Sequence, residues 1–230
     1  KQILEEVQLS ELNAMTAPYL TAENTVITIN LPEKDDASKL KEKAILSMFK
    51  RTMNAEVEAK VEEKITKPLF SKEVTPGKIV KSEKNDKLGI ETLVLSNGAK
   101  VVLKKTDFKE NQILFGAYSW GGTSLYSDKD FFSADLATAM ITEGGVGEFN
   151  KTDLGKVLTG KTAGLSPILD DYYEGFQGGC VKKDMETMFQ LVYLYFTHIN
   201  KDQESFNNLM NGYEISLKNR ALDPDKAFGD

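Results

Sequence analysis

Cysteine and histidine are almost missing from this 230-residue chain, which holds one of each, Cys180 and His198. A single cysteine has no partner for an intrachain disulfide, a silence that fits a reducing or an oxidising compartment. A single histidine excludes a zinc site built from two or three imidazoles of this chain. Long apolar runs are missing too. The longest, Phe189 to Phe196, is far shorter than the roughly 20 residues of a membrane-spanning helix. Positive charge is not in excess either. The net charge of −6 argues against a general affinity for nucleic acid phosphates. What is present is an ordinary globular balance, 40% hydrophobic and 28% charged. A chain this long buries roughly 70% of its unfolded surface without disulfide or metal staples.

The chain opens on Lys1 with no signal-like apolar stretch, and Asp223-Pro224 near its close looks like a helix start. Both ends read as cut, so the sequence reads as a piece of a longer protein. Ile3, Leu4, Val7, Leu12, Met15 and Leu20 are spaced for a helix, and Thr25 to Leu31, closed by Pro32, reads as a strand. One helix and one strand cannot bury a core, so residues 1–33 are expected to finish a domain that begins upstream. Ala37 to Glu63 reads as a charged helix striped by Leu40, Ala44, Met48 and Phe49. From Lys64 to Lys87 there is little periodicity, with Pro68 and Pro76-Gly77 as interruptions. Its seven lysines against three acidic residues suit a solvated linker more than a basic patch for an anionic partner. Residues 34–87 are thus expected to form a helical and extended connector, and 88–230 a module of their own.

That module reads as strands, helices, strands, helices. Ile90 to Leu95 and Ala99 to Lys104 flank Ser96-Asn97-Gly98, a hairpin signal. Ile113 to Trp120 supplies a third strand, expected to neighbour the hairpin, and Gly121-Gly122 ends it. A helix over Asp130 to Thr142 stops at Gly144-Gly145 and Gly147, and Asn150 is placed to cap the next one. Thr162 to Leu169 and Tyr172 to Val181 read as strands. Lys182 to Ile199 is the strongest helix, with Met185, Met188, Phe189, Val192, Tyr193 and Phe196 as its apolar stripe. Gln203 to Leu222 is the last. The pattern predicts an α+β fold, an antiparallel sheet packed on helices.

Four candidate chemistries stand beside plainer readings. His198 is the one available base for Cys180 or a serine, but it sits in the last turn of a helix, where the dipole favours it. Lys182 and Lys183 could lower the pKa of Cys180, though a small strand thiol is commonly just half-buried. Asp170, Asp171, Glu143 and Glu148 offer carboxylates for acid–base work, yet loop acids are usually solvated. Glu143-Gly-Gly-Val-Gly147 looks like a phosphate cradle, but it follows a helix and lacks the Gly-Lys-Ser/Thr ending. None of these supports catalysis alone, which leaves a helper or binding domain.

Taken in order, Leu95-Ser-Asn-Gly-Ala-Lys-Val-Val-Leu103, Gly121-Gly-Thr-Ser124 and the helix after it resemble the pitrilysin/insulinase family of zinc metallopeptidases. The resemblance covers residues 88–230. It implies a mitochondrial processing peptidase-like metallohydrolase module, with residues 1–33 as the tail of a preceding module and 34–87 as the connector. The family carries an inverted zinc motif, H-x-x-E-H, on that helix. Here Asp135, Thr138 and Ala139 stand where His, Glu and His are expected, and Glu214 falls near the place of the third ligand. Longer family members join an active half to a degenerate half around a peptide chamber. The resemblance therefore implies a noncatalytic module of a zinc endopeptidase, inactive alone and with no metal of its own. Zinc is expected in the other half, peptides and the remaining parent domains as partners, and a bacterial periplasm or envelope as location. The alternative is a scaffold subunit of a larger complex with no working peptidase site. An independent enzyme built on Cys180 or His198 ranks last.

Overall fold

The computed structural model describes residues 6–19, 21, 25–31, 41–58, 65–220, 222 and 224. Ile3, Leu4, Leu20, Pro32, Leu40 and Asp223, which entered the readings above, lie outside them. The chain divides into two units, Lys1–Glu62 and Glu63–Asp230.

In the first unit, α1 spans Leu9–Thr16 and runs into a 3-10 turn, Ala17–Tyr19, while α2 spans Glu42–Met53. Neither helix buries a residue. The strand expected over Thr25 to Leu31 does not form: these residues are irregular, and Val26 is 88% exposed. β-Branched side chains favour extended backbone, but a strand exists only by pairing, and among the described residues nothing pairs with this segment.

The second unit holds two antiparallel three-stranded sheets rather than one. The first contains β1 (Ile79–Asn85), β2 (Ile90–Leu95) and β3 (Lys100–Lys104) in the order β1-β2-β3. β1 lies inside the stretch that showed no periodicity. Every one of its residues is exposed, so it carries no alternating apolar signature and is held by its ladder to β2. The β2–β3 hairpin forms as expected, but its turn is longer than two residues. Leu95 and Ala99 close it, Asn97 Oδ1 accepts from the Ala99 amide at 3.1 Å, and Gly98 takes φ +86, a three-residue loop with its left-handed position on glycine.

β4 (Ile113–Trp120) does not join that hairpin. It pairs with β6 (Tyr173–Cys180), which also pairs with β5 (Ala163–Leu169), giving the order β4-β6-β5. Between β4 and β5 come α3 (Phe131–Asp135), α4 (Ala137–Gly144) and α5 (Lys151–Val157). Asn150 caps α5 as expected, its Oδ1 accepting from the Asp153 amide at 2.8 Å. After β6 come α6 (Met185–Thr197) and α7 (Gln203–Arg220).

The core lies between one face of β4-β6-β5 and α6. Val146, Phe176, Leu191, Leu194 and Tyr195 form its centre, with Phe115, Ala117 and Leu165 from the sheet against them. The buried stripe of α6 is Met188, Leu191, Leu194 and Tyr195, whereas Phe189 is 50% and Phe196 71% exposed. This corrects the expected phase. From Leu191 to Phe196 the helix is apolar all round, so periodicity shows that it is a helix without choosing its inner face. Phe189 and Phe196 still meet the sheet edge-on, against Phe115 and Phe176 at 5.8 and 5.0 Å between ring centres. Each buried leucine contributes roughly 1.5–3 kcal/mol.

Candidate functional site

The expected helix over Asp130 to Thr142 is two short helices meeting at Leu136, whose ψ of −7 departs from the helical value near −42. Asp135 ends α3 and is exposed; Thr138 and Ala139 lie half-buried on α4. α4 packs against α7, the helix that carries Glu214. The fold thus brings together the elements bearing the four residues expected at the metal-motif positions, Asp135, Thr138, Ala139 and Glu214. Their chemistry does not suit zinc. The set offers a carboxylate, a hydroxyl and a methyl, and Glu214 is ion-paired with Lys218 at 2.6 Å on the surface. Among the described residues no three His, Cys, Asp or Glu side chains cluster as metal ligands do.

His198 caps α6, its amide donating to the Leu194 carbonyl at 2.7 Å, and its Nδ1 lies 2.6 Å from Thr197 Oγ1. It lines a cavity of about 420 Å³ with Leu69, Phe70, Glu148 and Leu194. Cys180 lines a different cavity, about 580 Å³, between the chain before β4 and the start of β5. The two groups are not brought together as nucleophile and base. Cys180 is buried at the end of β6, and burial first, then the nearby Asp184 carboxylate, push its thiol pKa upward. That is the direction of an inert thiol, opposite to activation by Lys182 and Lys183.

The candidate carboxylates are also separated in use. Glu148 accepts from Lys67 Nζ at 2.9 Å, and this bond and the lysine's charge, with Lys72 adding to them, hold its carboxyl below the usual range. Glu143 is ion-paired with Lys151. Asp170 and Asp171 form the β5–β6 turn and lock the segment after β4. Their carbonyls accept from the Thr123 and Ser124 amides at 2.9 and 2.8 Å. The Asp170 charge, and then its hydrogen bond, raise the pKa of Tyr173. Gly122 makes this docking possible: at φ +66, a Cβ there would lie 2.1 Å from the Asp170 carbonyl oxygen. The glycines of Glu143-Gly-Gly-Val-Gly147 turn inward. Val146 is fully buried, and the Gly147 amide is already spent on the His198 carbonyl at 2.8 Å. The loop presents no amide nest to an anion there.

Two features escaped the sequence. Residues 67–72, within the expected connector, form one wall of the His198 cavity, with Phe70 edge-on to Tyr193 at 4.9 Å; the apolar pair Leu69-Phe70 amid lysines is the available signal. The second is the open face of β4-β6-β5, away from the helices. Leu114 is 79%, Tyr118 67% and Trp120 88% exposed there.

No protein-family model matches the chain. Among curated proteins, a zinc protease PQQL-like protein of Arabidopsis thaliana is 29% identical over 168 residues, 73% of this chain and 15% of the relative. A probable zinc protease PqqL of Haemophilus influenzae is 24% identical over 83% of this chain and 21% of the relative. The chain therefore spans about a fifth or less of the length of these curated relatives. Among solved structures, the periplasmic protease PqqL from Escherichia coli superposes with a TM-score of 0.64 at 23% identity, covering 85% of this chain and 22% of that one. A mutant of the ferredoxin protease FusC, in complex with Arabidopsis ferredoxin, gives 0.62 at 19%, covering 88% and 22%. At these identities the two structures speak to the fold, which is the expected α+β architecture.

Proposed function

Since the chain belongs to the pitrilysin/insulinase family of zinc proteases, we propose that it is a noncatalytic module of a zinc metalloendopeptidase. In this reading it helps to enclose and bind peptide, while zinc-dependent hydrolysis takes place in another half of the parent. The observation that carries it is the donor set on α3 and α4: Asp135, Thr138 and Ala139 provide neither the two imidazoles nor the general-base carboxylate of the family motif. Residues 1–33 are then the end of the first half, 34–87 the connector, and the rest the first module of a degenerate second half. β4 is an eight-residue edge strand without proline, a fit surface for an extended peptide added by backbone pairing. Pro167 removes one such donor from the opposite edge, β5. No helix among the described residues is long and apolar enough to cross a membrane, and the likeness to a periplasmic protease supports a periplasmic or envelope setting.

The test is the zinc content and peptidase activity of this chain and of its parent after dialysis against trace zinc. The expected result is no tightly bound zinc and no peptide hydrolysis by this chain, with both present in the parent. One tight zinc per 230-residue chain would overturn the assignment of the motif positions. A parent without zinc or activity would favour the scaffold alternative.

A further inference from the structure

Two Asn-Gly pairs occur in the chain, Asn97-Gly98 and Asn211-Gly212. The pair has a chemistry of its own. Asparagine is among the thermolabile side chains, and a following glycine puts no side chain between its amide nitrogen and the asparagine carboxamide. All four residues are exposed, and a Cβ built on either glycine meets nothing within 4 Å. Solvent access and open space are therefore alike at the two places. The backbone is not. Asn97-Gly98 forms the tip of the β2–β3 turn, with Gly98 at φ +86, whereas Asn211-Gly212 lies inside α7.

The turn prepares Asn97 to react. Its Oδ1 accepts from the Ala99 amide at 3.1 Å, which polarises the carboxamide and stabilises negative charge arriving on that oxygen. The Gly98 amide donates to the Leu95 carbonyl at 2.9 Å, a turn bond at an exposed loop tip, where local opening costs least. In α7 the Gly212 amide is tied to the carbonyl four residues earlier, with helix continuing on both sides. Its nitrogen reaches the Asn211 carboxamide only if that helix opens.

We propose that Asn97 is a site of spontaneous deamidation, with water as the co-reactant. The Gly98 nitrogen gives its proton to a solvent base and bonds to Asn97 Cγ. The Cγ–Nδ2 bond breaks, ammonia leaves with a proton from solvent, and a five-membered succinimide remains. Water then opens the ring at either carbonyl. Cleavage at Cγ leaves aspartate at position 97, which adds one negative charge and keeps an oxygen for the Ala99 amide. Cleavage at the backbone carbonyl leaves isoaspartate, whose main chain is one methylene longer. That product lengthens a loop whose ends are bonded, Leu95 amide to Ala99 carbonyl, at 2.9 Å, so it loosens the hairpin closure. The reaction needs neither zinc nor peptidase activity and stands apart from the proposed function.

The experiment holds the full-length parent in mildly alkaline buffer and follows both sites by digestion and mass spectrometry. Cleavage after lysine releases Leu88 to Lys100, in which Asn97 is the one carboxamide side chain. The readout is the mass gained when an amide NH₂ becomes OH, with fragmentation separating aspartate from isoaspartate. The expected result in the native parent is conversion at Asn97 about tenfold or more faster than at Asn211, because only the latter waits for helix opening. In guanidinium chloride the two rates should come together. Native conversion at Asn97 no faster than at Asn211 would overturn the proposal. A rate difference that persists in the unfolded parent would overturn it as well, since neighbouring sequence and not the turn would then set the rate. So would a mass gain in Leu88 to Lys100 that is undiminished in Asn97→Gln.

Discussion

Gly122 and Gly155 show how much one methyl group depends on its surroundings. At Gly122 the left-handed backbone and the Asp170 carbonyl at 2.1 Å from a built Cβ both oppose a side chain, and what must yield is backbone. Gly122→Ala is expected to destabilise the module by on the order of 3 kcal/mol. At Gly155, inside α5, nothing lies within 4 Å, so Gly155→Ala should stabilise by about 0.5–1 kcal/mol. Urea unfolding of the two variants checks both signs. Cys180 gives a second residue-scale prediction. Its thiol pKa is raised by burial and by Asp184, so the fold favours the neutral form. The stabilisation this implies is fully present below the free-thiol pKa of about 8.5. It is lost as pH rises through the folded-state value. Wild type should therefore lose stability in alkali more steeply than Cys180→Ala. Tyr173 and Tyr195, also shifted upward, are common to both chains and cancel in the comparison.

At the scale of elements, existence was easier to read than phase or length. β2, β4, β5, β6, α6 and α7 stand where their residue patterns place them, because strand alternation and glycine stops are local signals. The inner face of α6 was not legible, since Leu191 to Phe196 offers an apolar residue in every direction and only the sheet opposite selects among them. β1 was invisible because an exposed edge strand needs no apolar period. Within the candidate site, Asp135, Thr138 and Ala139 could be proposed as motif positions from the residue pattern, but the change of direction at Leu136 was not legible. It has a consequence for repair. Two imidazoles at i and i+4 share a face only on a continuous helix, and here the first position precedes Leu136 while the others follow it. The triple variant Asp135→His, Thr138→Glu, Ala139→His is therefore expected to bind zinc weakly and to remain without peptidase activity. Calorimetric titration with zinc checks this, and a tight site with restored hydrolysis would show that the interruption is immaterial.

At the scale of the whole chain, the class of fold was readable but the division into two sheets was not. Sequential strands usually neighbour one another, and that habit assigns β4 to the preceding hairpin. The link from Lys105 to Gln112 releases it instead, and β4 waits for a partner more than fifty residues further on. The packing of residues 67–72 was hidden for a similar reason: their apolar pair has no meaning until α6 is present to receive Phe70. The order β4-β6-β5 also bears on synthesis. Its central strand is the last of the three to be made, so β4 and β5 leave the ribosome as two edges with nothing between them. Neither can complete its pairing before Cys180 has emerged. Until then the nascent chain carries unpaired apolar segments, the kind of surface on which misassembly begins. At the ribosome's usual 5–20 residues per second, that interval lasts on the order of several seconds, a window in which chaperones rather than the fold guard these strands.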